Sequence, residues 1–231
     1  MDTTTLQVRV YGSLRESIME GRFQPGDSFT IRALAAAMGT SVMPVREALS
    51  RLLAEGAVGM QLPSRQVWIP VMSRERVAEL YRIRIMLEGM ATAMAAQHIS
   101  AEEIQQSEAA LQEIRESIAL GDEAAFLAAN RAFHFSVYRA SRSELLLPMI
   151  ESLWLKLGPL LRLPINPTSR MESRLMEGGQ QHHEMLMEGL KRHDINLAKQ
   201  GLESDIGDAA LWFDRNYHPV MPPEAQARGE A

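Results

Sequence analysis

The segment TIRALAAAMGTSVMPVREALSRLLAEG, residues 30–56, constrains the fold of this chain most strongly. Two runs of helically spaced apolar residues are separated at Gly39, which ends the first run. The second run begins at Ser41, a residue type favoured at helix N-caps, and Pro44 lies in its first turn, where the missing N–H costs nothing. The pattern predicts two short helices joined by a tight turn, a helix-turn-helix.

The second helix of this pair is predicted to have two different faces. One face is apolar and is expected to point into a core: Val45, Ala48, Leu49 and Leu52. The opposite face is more polar and is expected to point into solvent: Val42, Arg46 and Ser50. The sequence therefore predicts a rigid helix that presents an arginine outward.

The flanking segments extend this unit. Apolar residues recur every fourth position from Leu6 to Ile18 and predict a helix that ends at Gly21. After the helix pair, AVGMQLPSRQVWIPVM predicts a hairpin whose polar, basic tip is Pro63–Gln66. Three helices followed by a hairpin form a winged helix-turn-helix, in which the second helix of the turn enters a DNA major groove and the hairpin tip reaches the minor groove or backbone.

From residue 73 the pattern is helical, with a Ser100–Glu103 capping box and Asp122 as a further cap. Helices are predicted at about 74–97, 101–120, 122–140, 144–161, 170–192 and 194–215. The predicted fold is mostly α, an N-terminal winged helix-turn-helix at 1–72 and a C-terminal antiparallel bundle of six to seven helices at 73–218. Residues 219–231 are predicted to form a flexible tail.

Composition excludes several other classes of protein. The formal net charge is −5, with +1 in residues 1–72 and −6 in the remainder, which argues against indiscriminate coating of nucleic acid. There is no cysteine, so a disulfide scaffold is excluded. No apolar run approaches the roughly 20 residues of a membrane span, and a soluble, cytoplasmic protein is expected.

Four motifs carry a family resemblance: PGD (25–27), VREALSRLLAEGAV (45–58), RIRIMLEGMA (82–91) and FHFSVY (133–138). The chain resembles the GntR family of bacterial transcription regulators, in its FadR-like subfamily with an FCD ligand-binding domain, over about residues 6–215. The resemblance implies a homodimer that binds a short palindromic operator in double-stranded DNA. It also implies that a small molecule, often a carboxylate, enters the helical domain and changes the grip on DNA, as in a repressor released by its effector.

The resemblance also implies which residues contact DNA. These are Arg32 from the first helix of the turn, Ser41, Val42, Met43, Pro44, Arg46 and Ser50 from the second helix, and Arg65 and Gln66 from the wing. An outward Arg46 can read guanine bidentately or hold a phosphate; the alternative is a solvated surface arginine. Val42 replaces a usual arginine and Gln66 a usual glycine, so the operator is expected to differ from the commonest family pattern.

A second group of residues is implied to bind a divalent metal. Asn130 and His134 lie four residues apart on one helix face, and the resemblance adds His183 and Asp205, where Asp205 replaces a usual histidine. Zinc, nickel, manganese or iron(II) would suit this set, and the carboxylate favours harder ions. The open alternative is a satisfied core histidine with a polar helix face.

Arg84 matches a family arginine near the effector and is expected to pair with a carboxylate; the alternative is a salt bridge with Glu88. Met86, Met90 and Met94 are expected in the apolar interior. A different class of function stays open, a metal-dependent enzyme that uses His134, His183 and Asp205, although the winged helix argues against it.

Overall fold

The computed structural model describes residues 6–61, 66–163 and 170–219, with side chains described from residue 178 onward in the last range. These residues form nine α-helices and three short strands. The helices are α1 (Leu6–Met19), α2 (Ile31–Ala37), α3 (Val42–Ala54), α4 (Arg74–His98), α5 (Ala101–Leu120), α6 (Glu123–Ala140), α7 (Leu146–Leu157), α8 (Arg170–Lys191) and α9 (Ile195–Asn216). The strands are β1 (Ser28–Thr30), β2 (Gly59–Gln61) and β3 (Gln66–Trp68). The predicted fold class, a winged helix-turn-helix followed by a helical bundle, is confirmed.

The chain forms two compact units. The first contains residues up to Ser73 together with Trp154–Arg162, and the second contains Arg74–Leu153 and the chain from Leu163 to His218. Helices α4, α5, α6, α8 and α9 and most of α7 therefore belong to the second unit.

In the N-terminal unit, α3 packs on α1 and α2. The residues that fill its core are the apolar positions expected from the sequence: Val10, Leu14, Ile18, Ile31, Leu34, Val45, Leu49 and Leu52. The three strands form an antiparallel sheet in the order β1-β3-β2. Strand β1 was not predicted, because three residues after a turn carry too little alternation to be recognised.

The segment Trp154–Arg162 packs within the N-terminal unit because it contains a glycine at a close approach. A Cβ at Gly158 would overlap the carbonyl oxygen of Ile18 and lie 2.7 Å from Cα of Met19. Lys156 Nζ donates a hydrogen bond to the carbonyl oxygen of Glu55, at the C-cap of α3, over 3.0 Å. A late segment of the chain thus contacts both α1 and the end of α3.

The helix predicted at 144–161 is shorter in the structure. Helix α7 ends at Leu157 and is followed by a 3-10 turn at Gly158–Leu160. Pro159 causes the change, because it lacks the N–H that would continue the α-helix and disfavours helical backbone at Gly158.

In the helical unit, α9 packs against both α8 and α4, and α5 packs on α6. Helix α5 starts with the predicted capping box: Ser100 N–H donates to the Glu103 carboxylate over 2.8 Å, and Ser100 Oγ accepts from Glu103 N over 3.2 Å. The Asp122 side chain caps α6 by accepting from Ala125 N at 3.0 Å. Both caps confirm the sequence prediction.

The prediction that the methionines of α4 lie in the apolar interior was wrong for two residues in the middle of the helix. Met86 and Met90 are 63% and 54% exposed, although the sequence placed them in the interior. The polar residues Arg84, Glu88 and Thr92 are buried on α4 instead, among apolar residues of the same helix. Apolar periodicity alone does not identify this part of the buried face, because two of its positions carry paired charges.

Candidate DNA-binding face and buried His–His–Asp cluster

Helix α3 has the two faces that the sequence predicted. Val45, Leu49 and Leu52 are at most 1% exposed, whereas Met43 is 60% exposed. Ser41 occupies the N-cap position with extended backbone, but its side chain makes no capping hydrogen bond. The predicted cap is therefore correct in position and wrong in its side-chain role.

The proposed DNA-contacting residues divide by exposure. Arg32, Ser41, Met43 and Ser50 are exposed, Val42 and Arg46 are half-buried, and Pro44 is buried. The Ser50 hydroxyl donates to the Arg46 carbonyl over 3.0 Å, so its proton is used within α3. Pro44, in the first turn of α3, is buried within the N-terminal unit.

The wing is formed by β2 and β3. The predicted tip included Gln66, but Gln66 pairs with Thr30 of β1 and Gln61 of β2 and is the first residue of β3. Its Nε2 donates to Ser28 Oγ over 3.3 Å. Arg65 and the rest of the predicted tip lie outside the described residues.

A polar cluster that sequence reasoning missed joins α1 to the end of α3. The Arg51 guanidinium lies 3.8 Å from the centre of the Tyr11 ring, and the Tyr11 hydroxyl donates to the Glu55 carboxylate. Arg15 Nε lies 3.7 Å from the same carboxylate. Tyr11 and Glu55 are 44 positions apart in the sequence, so no local pattern indicates their contact. These contacts fix the angle between α1 and α3.

In the helical unit, three side chains from three helices converge. His134 of α6, His183 of α8 and Asp205 of α9 each offer a ligand atom, and these atoms lie within 4.8 Å of one another. His134 Nε2 is 3.4 Å from Asp205 Oδ2, and His183 Nε2 is 3.5 Å from Asp205 Oδ1. The two Nε2 atoms are 3.3 Å apart. Both imidazoles are nearly inaccessible to solvent, with 2% and 3% exposure.

Asn130, the fourth predicted ligand, lies on α6 one turn before His134 and is half-buried. The structure thus brings together three of the four residues named for this site and places the fourth on the same helix.

A chain of buried polar contacts continues from His134. Its Nδ1 lies 3.1 Å from the Tyr138 hydroxyl, and that hydroxyl donates to the Glu88 carboxylate. Arg84 Nε and Nη2 donate to the two oxygens of Glu88 over 2.7 and 3.2 Å. Arg84 therefore forms the salt bridge that was the alternative interpretation of this residue.

Burial and neighbouring groups decide the charges in the cluster. Burial raises the pKa of the Asp205 carboxyl, but the His183 and His134 imidazoles outweigh burial and hold that pKa well below its usual range. Burial lowers the pKa of the His134 imidazole and outweighs the opposing effect of Asp205. At neutral pH the cluster therefore contains a carboxylate and a neutral His134.

Close packing of two helices positions these ligands. A Cβ at Gly189 of α8 would lie 2.6 Å from Cα of Ala198, and a Cβ at Gly201 of α9 would lie 2.5 Å from the Leu186 nitrogen. Only glycine fits at these contacts, so the α8 and α9 backbones approach closely. This approach holds His183 and Asp205 at a fixed separation.

The donor set fits a divalent cation. Two imidazole nitrogens and one carboxylate oxygen suit zinc and other first-row divalent metals. The Asp205 side chain is 20% exposed, whereas both imidazoles are nearly inaccessible. The geometry is that of a three-residue cation site.

Comparison with known proteins identifies the family. Residues 79–208 match the model of the FCD domain, and residues 6–62 match the model of the gntR family of bacterial regulatory proteins. The chain belongs to the GntR family. The first model covers the helical unit that carries the cluster, and the second covers the winged helix-turn-helix.

Individual GntR relatives span nearly the whole chain. The HTH-type transcriptional regulator McbR of Escherichia coli K12 is 30% identical over 84% of this chain and 86% of its own. The gluconate operon transcriptional repressor of Bacillus subtilis is 25% identical over 90% of this chain and 87% of its own. The solved structure of E. coli McbR/YncC has a TM-score of 0.86 at 26% identity and covers 94% of this chain and all of that chain.

These comparisons establish the general function. The protein is a DNA-binding transcription regulator with an effector-binding FCD domain, as the sequence predicted. The enzymatic alternative is not supported, because the family and the curated relatives are transcription regulators. Among the described residues, no helix is both long and apolar enough to cross a bilayer.

Proposed function

We propose that this regulator is a homodimeric, cytoplasmic repressor of the FadR-like subfamily that a small carboxylate effector releases from operator DNA. Residues 1–72 bind the operator, and residues 73–218 bind effector and partner subunit. The predicted tail lies, from residue 220 onward, outside the described residues. The observation that carries the proposal is the convergence of His134, His183 and Asp205 inside the FCD domain. Repression and a carboxylate are further supported by the B. subtilis relative, which is named as a repressor of a gluconate operon.

The operator contacts follow from the exposure of α3. We assign base reading to Arg46, a half-buried arginine on the face of α3 that also carries Val42 and Ser50. Arg32, Ser41, Val42, Met43 and Ser50 supply further contacts to phosphates, bases and thymine methyl groups. Pro44 shapes the start of the helix, and the wing contributes Arg65 and Gln66.

The metal site would consist of His134, His183 and Asp205, with Asn130 as a fourth ligand. The carboxylate favours a harder ion such as manganese or iron(II) over a site of three imidazoles, while zinc and nickel still fit. A bound divalent cation would offer open coordination positions to an effector carboxylate. Arg84 is already paired with Glu88, so its main role would be to hold Glu88 in place rather than to bind the effector carboxylate directly.

The homodimer would use the exposed face of α4. Met86 and Met90 lie one turn apart there and are both more than half exposed. A single exposed apolar side chain is common on protein surfaces, but two adjacent ones form a patch that suggests a contact with a partner. A second copy of the same face buries both residues symmetrically. Methionine is well suited to such a contact, because its flexible side chain adapts to an opposing surface.

Metal analysis and ligand screening test the effector proposal. Full-length protein purified without added ions should contain one divalent ion per chain, and a panel of mono-, di- and tricarboxylates should include at least one that raises its melting temperature. His134→Ala should lose the ion and that thermal shift but keep operator affinity at low salt. The matched control is His98→Ala, an exposed histidine at the end of α4, which should keep both. Unchanged metal content in His134→Ala would remove the site.

Light scattering tests the dimer proposal. The double variant Met86→Glu, Met90→Glu should become monomeric because four carboxylates would meet at the symmetric contact. Leu120→Glu, at an 82% exposed position on α5, should leave the mass unchanged. A double variant that stays dimeric would place the interface elsewhere.

A further inference from the structure

Tyr138 has no assigned role, yet its hydroxyl is buried between a carboxylate and an imidazole. We propose that Tyr138 is a positioning residue that fixes His134 as the Nδ1–H tautomer and leaves Nε2 unprotonated at the cluster. Glu88 and Arg84 hold Tyr138 in this role. The proposal deepens the metal site proposed above, since an unprotonated Nε2 is the form of histidine that binds a cation.

The direction of each hydrogen bond follows from the chemistry of the groups. The Glu88 carboxylate accepts from Arg84 at 2.7 and 3.2 Å, and as a carboxylate it can only accept from Tyr138 as well. The Tyr138 proton is thereby committed to Glu88. The phenol oxygen can then only accept from His134 Nδ1, 3.1 Å away, so Nδ1 must carry the hydrogen.

The environment keeps these roles fixed. Tyr138 and Glu88 are 0% exposed and Arg84 is 4% exposed, so water cannot replace any of the three partners. Burial alone would lower the pKa of Arg84, but the neighbouring Glu88 carboxylate outweighs burial and raises that pKa above its ordinary value. The guanidinium therefore stays charged and paired with the carboxylate.

The consequence appears on the other side of the His134 ring. An unprotonated Nε2 and the Asp205 carboxylate oxygen, 3.4 Å apart, are both acceptors and have no proton between them. A cation between them satisfies both. His134 therefore needs no change of tautomer to bind one.

His183 is held differently and serves as an internal comparison. Its Nδ1 is buried and has no hydrogen-bond partner among the described residues. Its Nε2 faces Asp205 Oδ1 at 3.5 Å and His134 Nε2 at 3.3 Å, which are both acceptors. In the cation-free protein the proton of His183 is thus expected on Nε2. Cation binding at Nε2 requires that proton to leave this nitrogen.

Nitrogen NMR of the histidine rings tests the proposal without any metal. Full-length, 15N-labelled protein is treated with a chelator, and long-range 1H–15N spectra at neutral pH are assigned by comparison with His134→Ala. His134 should be the Nδ1–H tautomer and His183 the Nε2–H tautomer. A wild-type His134 that carries its proton on Nε2 overturns the proposal, and this result needs no variant.

The Tyr138→Phe variant removes only the hydroxyl. It should convert His134 to a mixture of tautomers or to Nε2–H bonded to Asp205, and Zn²⁺ affinity, measured by competition with a chelating dye, should fall about 10- to 100-fold. Tyr217→Phe, which removes a hydroxyl from another buried tyrosine of the same unit, should change neither. A folded Tyr138→Phe protein with an unchanged His134 tautomer overturns the proposal.

The two readouts separate this inference from the metal site. If the tautomers are as stated but neither Zn²⁺ nor Mn²⁺ binds the wild-type protein, the positioning by Tyr138 stands and the metal-site proposal fails. If metal binds but the His134 tautomer does not depend on Tyr138, the metal site stands and this inference fails.

Discussion

Gly201 of α9 lies directly against the backbone of Leu186 of α8, so that a Cβ at position 201 would come within 2.5 Å of the Leu186 nitrogen. The next nearest atom is the His182 carbonyl oxygen, at 2.9 Å. This contact sits between the helices that carry His183 and Asp205. The separation of the two ligands therefore depends on a residue that has no side chain.

Gly201→Ala is expected to destabilise the helical unit by roughly 1–3 kcal/mol, because the methyl group must push the two backbones apart. The matched control is Gly207→Ala on the same helix, where a Cβ meets nothing within 4 Å. That change should stabilise by roughly 0.5–1 kcal/mol through helix propensity. Thermal unfolding followed by circular dichroism measures both; equal effects at the two positions would contradict the packing.

Gly59→Ala is expected to disrupt the wing. A Cβ at Gly59 would overlap the indole ring of Trp68, its cross-strand partner in β3. Trp68 is 9% exposed, so the ring cannot move aside into solvent without exposing apolar surface. The tryptophan emission should shift to the red and the melting temperature should fall. Gly12→Ala, in an open position on α1, should leave the emission unchanged.

Arg46→Ala is expected to abolish sequence preference in DNA binding, because Arg46 is a half-buried arginine on the polar face of α3. Each bidentate arginine–guanine contact is worth roughly 1–3 kcal/mol of discrimination. The preferred site is first recovered by selection from genomic fragments. Fluorescence anisotropy then measures the ratio of the affinity for this site to the affinity for a scrambled site. Arg82→Ala, which changes an exposed arginine of α4, is the control and should leave this ratio unchanged. A footprint that survives Arg46→Ala would mean that another element reads the operator.

The capping box at α5 is expected to give a pH-dependent contribution to stability. The hydrogen bond from the Ser100 backbone N–H is the largest cause that holds the pKa of Glu103 below 4.5. Because the folded pKa is lower than the unfolded one, this contribution is present above pH 4.5 and is lost as the pH falls through the folded pKa. Glu103→Gln keeps a capping-box side chain but removes the negative charge near the helix N-terminus, and should cost ~0.3–1 kcal/mol at neutral pH and less in acid. Glu113→Gln, exposed in the middle of α5, should show no such trend.

Local signals in the sequence were sufficient for most of the fold. The spacing of Val45, Leu49 and Leu52 identified the buried face of α3, and Ser100 with Glu103 identified the start of α5. The hydrophobic pattern gave a wrong prediction where polar residues are buried. Arg84 and Glu88 lie on the buried side of α4, whereas Met86 is exposed. Periodicity reports which residues are apolar and carries no information on which charges will be paired.

The candidate ligand residues could be predicted from the sequence, but the residues that hold them in place could be predicted only in part. His134, His183 and Asp205 were expected together from the family resemblance, and the structure places them within contact distance. Tyr138 follows His134 by four residues on α6, so the spacing could have indicated that the two side chains share a helix face. The link from Tyr138 to Glu88 joins residues 50 positions apart and has no local signal.

Gly158 and Lys156 tie a late stretch of the chain to α1 and to the end of α3. Consider a chimaera in which only the first 73 residues of this protein are fused to another regulator. In that chimaera Ile18 and Met19 would lose their contact with the segment around Gly158. Grafts should therefore carry residues 154–162 from the same parent. Among natural homologues, the winged helix and this distant short stretch should have changed together, even though some 80 residues of sequence separate them.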